Sequence, residues 1–328
     1  MNLKKYIPHL LLLITAMIWG FAFVAQDVVE GIGPSTVIFA RNWIASVFLI
    51  VAVIVFDKIN GGKRRLFSRR GVDITRNEWI GGAICGVCLG VASLFQQMGI
   101  QDGTDGGKAA FITSLYVVIV PIYALFIKKR PPVTVWISVA IAAVGFYLLC
   151  IKENVGIAPS DIFVVMAALL FPFHILVIDH FSPRCDGVRL SLVQFLTCGI
   201  IMTPFSLIMD GGISFEAIGR NILPILFLGI FSSGIAYTLQ ILGQNGPDPS
   251  VASIIMSLES VFGVIGTAVA LGSVLELREY IGCAIVFGAV VLAQLDFGKK
   301  AKPTGGDEPL SSEHEEFSGE SEKTAVDA

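Results

Sequence analysis

Ten stretches of about 20 mainly apolar residues follow one another along this chain, and that succession constrains the fold more than any motif does. They run Ile7 to Gln26, Thr36 to Phe56, Trp79 to Met98, Lys108 to Ile127, Val133 to Cys150, Ser160 to Ile178, Ser191 to Met209, Asn221 to Gln240, Pro249 to Leu271 and Leu275 to Leu295. A helix needs about 20 such residues to cross a hydrocarbon core about 30 Å thick. The runs are continuous, whereas barrel strands alternate apolar and polar residues, so they predict helices. Composition closes the other route: 54% of residues are hydrophobic and 15% charged, against about 25% charged in soluble domains. The first run follows Lys4 and Lys5 in the manner of a signal peptide. It is longer than a typical apolar signal region, and Phe23 lies two residues before Ala25, a poor small-residue cleavage site. It is expected to stay as a helix.

The net charge of -3 is unevenly placed. From Gly298 to Ala328 eight acids face four bases, so the apolar body carries a net +1 and the acidity belongs to the tail. Neither part presents a basic stripe, which argues against a nucleic-acid partner. With a cytoplasmic N-terminus, 18 bases fall on the inside, including Lys58, Lys63, Arg64, Arg65, Arg69, Arg70 and Arg76 in one loop. Only Lys108, Lys152, Arg220 and Arg278 fall outside, with Arg41 left within a helix. The positive-inside bias therefore places both termini in the cytoplasm. The tail, rich in Ser, Glu, Gly and Pro, cannot build a core and is expected to be disordered.

Six cysteines occur, at 85, 88, 150, 185, 198 and 283, mostly inside apolar runs, where a disulfide framework is not expected. Cys85-Gly86-Val87-Cys88 has metal-ligand spacing, yet no His or carboxylate lies near it, so small-residue packing is the preferred reading. Gly82, Gly86 and Gly90 extend that small face at a spacing of four. Pro121, Pro172 and Pro204 lie inside expected helices and predict kinks.

The chain also repeats itself. A shift of 143 residues sets Gln97, Gln101, Gly103, Asp105, Ala109, Ile112, Ser114, Leu115, Val118 and Ile122 opposite the same residue types at Gln240, Gln244, Gly246, Asp248, Ala252, Ile255, Ser257, Leu258, Val261 and Ile265. Apolar composition alone does not explain matches at Gln, Gly and Asp. The unit holds about five helices, and an odd number of crossings turns the second copy upside down. The expected fold class is an all-α integral membrane protein of about ten transmembrane helices in two inverted five-helix repeats. The first repeat is assigned to residues 1–151, the second to 152–297 and the acidic tail to 298–328. Inverted repeats build alternating-access transporters, with the substrate site between the repeats near the midplane.

Several local motifs resemble those of the EamA family of the drug/metabolite transporter superfamily. They are Trp19-Gly20-Phe21-Ala22-Phe23 in the first helix, Arg41 in the second, Gly107-Lys108-Ala109-Ala110-Phe111-Ile112-Thr113 leading to Tyr116 and Pro121 in the fourth, and Ser257-Leu258-Glu259-Ser260-Val261-Phe262 in the ninth. The resemblance covers about residues 7 to 297. Two departures stand out: Ser260 occupies a position where the family often has proline, and the sixth helix lacks a counterpart of the Trp-Gly pair. The resemblance implies a ten-helix, two-repeat carrier of small metabolites in a bacterial inner membrane, often an exporter.

Polar groups at membrane depth are costly and usually face the protein interior. Glu259, near the middle of the ninth helix, is a candidate for proton coupling or for holding a substrate amine; a hydrogen-bonded tie between helices is the alternative. His174, two residues after Pro172, could titrate during transport or bond a carbonyl that the kink frees. Arg41 and Lys108 could hold an anionic group, pair with acids such as Asp105, or snorkel to the interface. Gln96, Gln97, Gln194, Tyr237 and Gln240 offer neutral donors and acceptors, and Trp19, Phe23, Phe111 and Tyr116 offer aromatic walls. In the fourth helix Lys108, Phe111, Ile112 and Leu115 share one face and Thr113 and Tyr116 another, so the two sets cannot line one pore equally.

No H-E-x-x-H, G-x-S-x-G or P-loop motif occurs, which disfavours an intramembrane enzyme and ATP-driven transport by this chain. No cofactor and no metal is expected. A membrane scaffold that recruits partners through the acidic tail remains a further class. Phosphate recognition usually relies on several deep bases, of which only Arg41 and Lys108 come close. The expected cargo is therefore a small metabolite such as an amino acid, exported with protons as the candidate coupling ion, with efflux of a toxic amphiphile as the alternative.

Overall fold

The computed structural model describes residues 6–59, 61, 66–68, 71–150, 158–272 and 275–295. The expectations for Lys4, Lys5, Lys63, Arg64, Arg65, Arg69, Arg70, Lys152 and the tail lie outside the described residues. Among those described, nine helices are long and apolar enough to cross a membrane, and Val133–Leu149 is a shorter apolar helix. Together they account for the ten runs read from the sequence; every span is helical, and the protein is a multi-pass membrane protein.

In chain order the spans are α1 (Ile7–Asp27), α2 (Pro34–Ile59), α3 (Arg76–Gln101), a fourth built of α4 (Gly106–Ser114) and α5 (Tyr116–Phe126), α6 (Val133–Cys150), α7 (Asp161–Phe181) and α8 (Gly187–Met209). A short α9 (Phe215–Arg220) precedes the eighth span, which joins α10 (Ile222–Leu226), a π-helical segment (Phe227–Ala236) and α11 (Tyr237–Gly243). The ninth is α12 (Pro249–Met256) with α13 (Glu259–Leu271), and the tenth is α14 (Leu277–Gln294). Between α2 and α3 a two-stranded hairpin pairs β1 (Phe67–Ser68) with β2 (Gly71–Val72).

Helix starts follow side-chain caps that satisfy otherwise orphaned N–H groups. Thr75 and Glu78 form a reciprocal capping box, which starts α3 three residues earlier than its apolar run suggests. Asp105 accepts from the N–H groups of Gly107 and Lys108, and its repeat counterpart Asp248 accepts from Ser250.

The helix interruptions lie elsewhere than at the three prolines. The helices continue through Pro121, Pro172 and Pro204. The fourth and ninth spans instead break at Leu115 and at Ser257-Leu258, which the repeat places opposite one another. Hydroxyl groups accompany these breaks: Ser257 Oγ donates to the Ile254 carbonyl at 2.7 Å, and Ser260 Oγ donates to the Ala110 carbonyl at 3.0 Å. The Ser114 and Ser260 hydroxyls meet each other across the two spans. Serine and threonine can bond nearby carbonyls in competition with the helix ladder; Ser257 does so at the break, and Ser260, in the first turn of α13, bonds the fourth span.

Packing respects exchange of the two halves. The equivalent helices α2 and α8 pack on each other, as do α6 and α14. The contact of α3 with α7 has its counterpart in that of α1 with the π segment and α11, and α3 on α8 is matched by α2 on the π segment. Close approach is achieved with small residues. A Cβ on Gly86 would lie 2.6 Å from the Gln194 carbonyl oxygen, and one on Gly82 would lie 2.5 Å from Val193 Cβ. Cys198 Sγ donates to the Gly86 carbonyl at this contact, which is the packing role read for the glycine stripe.

Two clasps tie α2 to α8, one at each end. At one, Arg189 Nη2 donates to Asp57 Oδ1 at 2.6 Å, Leu66 N–H donates to Asp57 Oδ2, and Arg189 Nε reaches the Asp73 carbonyl. At the other, Asp210 Oδ2 accepts from Thr36 N–H at 2.6 Å and from its hydroxyl at 2.7 Å. A shift of 153 residues carries Thr36 onto Arg189 and Asp57 onto Asp210. The clasps are therefore repeat equivalents, one an ion pair and the other a carboxylate held by neutral donors.

Candidate functional site

A cavity opens between the halves, running from the breaks in the fourth and ninth spans toward the end where α1 finishes and α2 begins. It is lined by Trp19, Ala22, Phe23 and Gln26 of α1, Arg41 of α2, Gln96 of α3, Thr113 and Tyr116 of the fourth span, Phe171, His174 and Ile175 of α7, Ser232, Tyr237 and Gln240 of the eighth span, and Glu259 of α13. Its side chains leave about 490 Å³ of space.

Glu259 opens α13 directly after the break and is 3% exposed. Tyr116 opens α5 after the equivalent break, so the same local geometry in each half presents one side chain to the cavity. The Ser114 and Tyr116 hydroxyls face the Glu259 carboxyl. Glu259 Oε1 and Tyr116 Oη nonetheless have no partner in hydrogen-bond geometry, and Gln240 Oε1 has none either. Polar atoms left unsatisfied in a low-dielectric interior are unfavourable by about 1–3 kcal/mol each. Three of them converging on one cavity are suited to a polar ligand.

Arg41 is 5% exposed and bonds two hydroxyls, Nε to Ser233 Oγ at 3.0 Å and Nη2 to Ser232 Oγ at 2.9 Å. It is buried rather than snorkelling, and among the described residues it pairs with no acid. The aromatic wall is continuous: Trp19 and Tyr237 rings stand 4.6 Å apart, and Phe195 and His174 meet the Tyr237 ring edgewise. Trp19 Nε1 donates to the Ser232 carbonyl at 3.3 Å, and Gln96 Nε2 donates to Thr113 Oγ1 at 3.0 Å.

Trp19, Phe23, Arg41, Tyr116, Tyr237, Gln240, Glu259 and His174 thus come together at one cavity. Three expected site residues do not. Lys108 pairs with Asp161 at the start of α7, in a cluster with Thr104 and Ser160, whereas Asp105 is used as the helix cap. Phe111, on the same face of α4 as Lys108, packs edgewise on Phe146. Gln97 is fully buried beside the site, with neither amide atom partnered. The Thr113–Tyr116 face is the one that lines the cavity. His174 also differs from expectation: Nε2 donates to Gln194 Oε1 at 2.9 Å rather than to a carbonyl freed by Pro172.

Gln26, Phe171, Ile175 and Ser232 were not singled out by sequence. Gln26 was accessible in principle, because Trp19, Phe23 and Gln26 recur at the spacing of one helix face. Ser232 was hidden by the π winding around it.

The comparisons with known proteins agree with this architecture. The profile of the EamA-like transporter family matches residues 7–151 and 158–295, one match for each half. A curated relative from Archaeoglobus fulgidus, described as an uncharacterized transporter, is 28% identical over 303 residues, covering 90% of this chain and 88% of the relative. A solved crystal structure shares the fold with a TM-score of 0.69 at 16% identity, covering 88% of this chain and 96% of the other. Ten apolar helices, two repeats and the matches to both halves lead to one conclusion: the chain belongs to the EamA-like transporter family.

Proposed function

We propose that this chain is a proton-linked, alternating-access exporter of a small zwitterionic or neutral metabolite such as an amino acid, with Glu259 as the coupling carboxyl. The observation that carries the reading is the position of Glu259: buried, at a helix break between the two repeats, with one oxygen lacking a hydrogen-bond partner and facing the cavity. A carboxyl so placed, beside the Tyr116 and Ser114 hydroxyls and with Oε1 unpartnered, can exchange a proton with the cavity, and inverted repeats supply the two-sided geometry that alternating access needs. Trp19, Phe23, Tyr116 and Tyr237 supply the walls, with Gln240 and Arg41 as polar contacts. His174, held by Gln194, is assigned to positioning Tyr237 rather than to carrying a proton. The protein works in a lipid bilayer, which we assign to a bacterial inner membrane with both termini cytoplasmic, on the distribution of bases in its loops.

The test uses purified protein in liposomes with an imposed pH gradient and a panel of the common amino acids. At least one is expected to move with protons in the native protein, and Glu259→Gln is expected to abolish gradient-driven flux. Undiminished coupling in that variant overturns the role of Glu259. Absence of flux for the whole panel overturns the amino-acid reading.

A further inference from the structure

Arg41 differs from the other buried cations described. Arg189 is paired with Asp57, and Lys108 with Asp161. Arg41 lies within a membrane span and lines the cavity, yet among the described residues no carboxylate stands within ion-pair distance of it. Its hydrogen bonds go to the hydroxyls of Ser233 and Ser232. The nitrogens engaged, Nε and Nη2, form the side-on edge of the guanidinium. That edge presents two parallel N–H groups at the spacing of a carboxylate's two oxygens. Two neutral oxygens occupy it here, satisfying the donors and leaving the buried charge without a counter-charge.

The serines are adjacent in sequence, and on an α-helix adjacent side chains point about 100° apart. They reach one guanidinium from the π segment, a winding that is rare at this length and is associated with functional sites. Its glycines confirm the wider turn. Gly229 and Gly234, five residues apart, both face α2, where added Cβ atoms would meet Ile44 and Phe48 at 2.6 Å each. In the equivalent stretch of the third span, a regular α-helix, the glycines that face α8 are spaced by four. Carbonyls of the π segment are in turn held from α1, by Trp19 Nε1 at Ser232 and by Thr15 Oγ1 at Ala236. Tyr237 and Gln240, immediately beyond the segment, line the cavity, so any change of winding turns them.

We propose that Arg41 is the anion subsite of the cavity: a small carboxylate binds its Nε–Nη2 edge in place of Ser232 and Ser233, and the π segment rewinds as those hydroxyls are released. The assignment rests on the reading of the cavity as the substrate site and specifies which charge of the substrate is held, and where.

Trp19 is a built-in reporter because its indole bonds a carbonyl of the segment. Full-length protein carrying Trp43→Phe, Trp79→Phe and Trp136→Phe, in lipid nanodiscs, is titrated with acetate against chloride at constant pH and ionic strength. A saturable change in Trp19 emission is expected, lost in Arg41→Gln and at least tenfold weaker in Arg41→Lys, which keeps the charge and lacks the fork. The double variant Ser232→Ala with Ser233→Ala should bind acetate more tightly, since the competing hydroxyls are gone; a structural role for the serines gives no such gain. No saturable change, an equal response in Arg41→Gln, or weaker binding in the double serine variant overturns the subsite. Proton-coupled flux measured on the same protein separates the two readings. Flux without an acetate response removes the subsite alone, and an acetate response without flux removes the transport reading alone.

Discussion

The two halves of the molecule share a plan and differ around the cavity. The break in the fourth span presents Tyr116 and the equivalent break in the ninth presents Glu259. The third span is a regular α-helix and the eighth contains a ten-residue π segment. Gln97 is sealed in the first half, whereas its repeat partner Gln240 lines the cavity. Repetition therefore supplies the scaffold, and departures from it supply the chemistry. A perfectly symmetric pair of halves would place identical groups on both sides of the site and could not distinguish the two poles of a substrate.

The clasps at the two ends of the α2–α8 pair offer the largest test of this contrast. Arg189→Ala leaves Asp57 buried and uncompensated, and a stability loss of about 3–5 kcal/mol is expected. At the equivalent position Thr36→Val removes one hydroxyl donor while the backbone N–H still reaches Asp210, with an expected loss of about 0.5–1.5 kcal/mol. Thermal unfolding in detergent measures both, and equal losses would dissolve the distinction between a charged and a neutral clasp.

The paired glutamines come next. Replacing Gln97 by Leu removes a fully buried amide with no partner among the described residues, so stability should rise by about 1 kcal/mol. The same change at Gln240 should lower transport several-fold without a comparable gain in stability. If Gln97→Leu abolishes transport instead, the sealed glutamine reaches substrate in another conformation and the halves exchange roles.

The smallest effect is expected at the lysine pairs that join the fourth span to α7. Lys129 meets Asp179 with 40% of its side chain exposed, whereas Lys108 meets a nearly buried Asp161 that also accepts from Thr104 and Ala158 N–H. Lys129→Ala should change stability by about 0.2–1 kcal/mol and less in high salt. A salt-independent loss larger than that at Lys108→Ala would reverse the ranking.

Particular residues show how far the sequence carries. The spans were legible because hydrocarbon thickness fixes their length, and the repeat because Gln97, Asp105, Ser114 and Leu115 recur in register. Glu259, Arg41 and Tyr116, which line the cavity, stand out in the sequence because an ionisable or hydroxyl group at membrane depth needs a reason. Lys108 and Phe111 lie away from the cavity, and helical spacing could not show this because it gives two faces of one helix without saying which one meets the cavity. The two breaks were not legible from the prolines, because a missing N–H favours a bend without ending a helix; hydroxyl contacts of Ser257 and Ser260 accompany the break in the ninth span. The π segment was hidden because its signature, Gly229 and Gly234 at a spacing of five, acquires meaning only once the face of α2 opposite them is known.

The double clasp has a mechanical consequence. Two antiparallel rods pinned at both ends resist shearing past each other, since sliding displaces the partners of both pins at once. The α2–α8 pair is therefore expected to move as one unit. The distances from Thr36 to Asp210 and from Arg189 to Asp57 should stay constant throughout the transport cycle, an internal ruler against which the displacement of every other helix can be gauged.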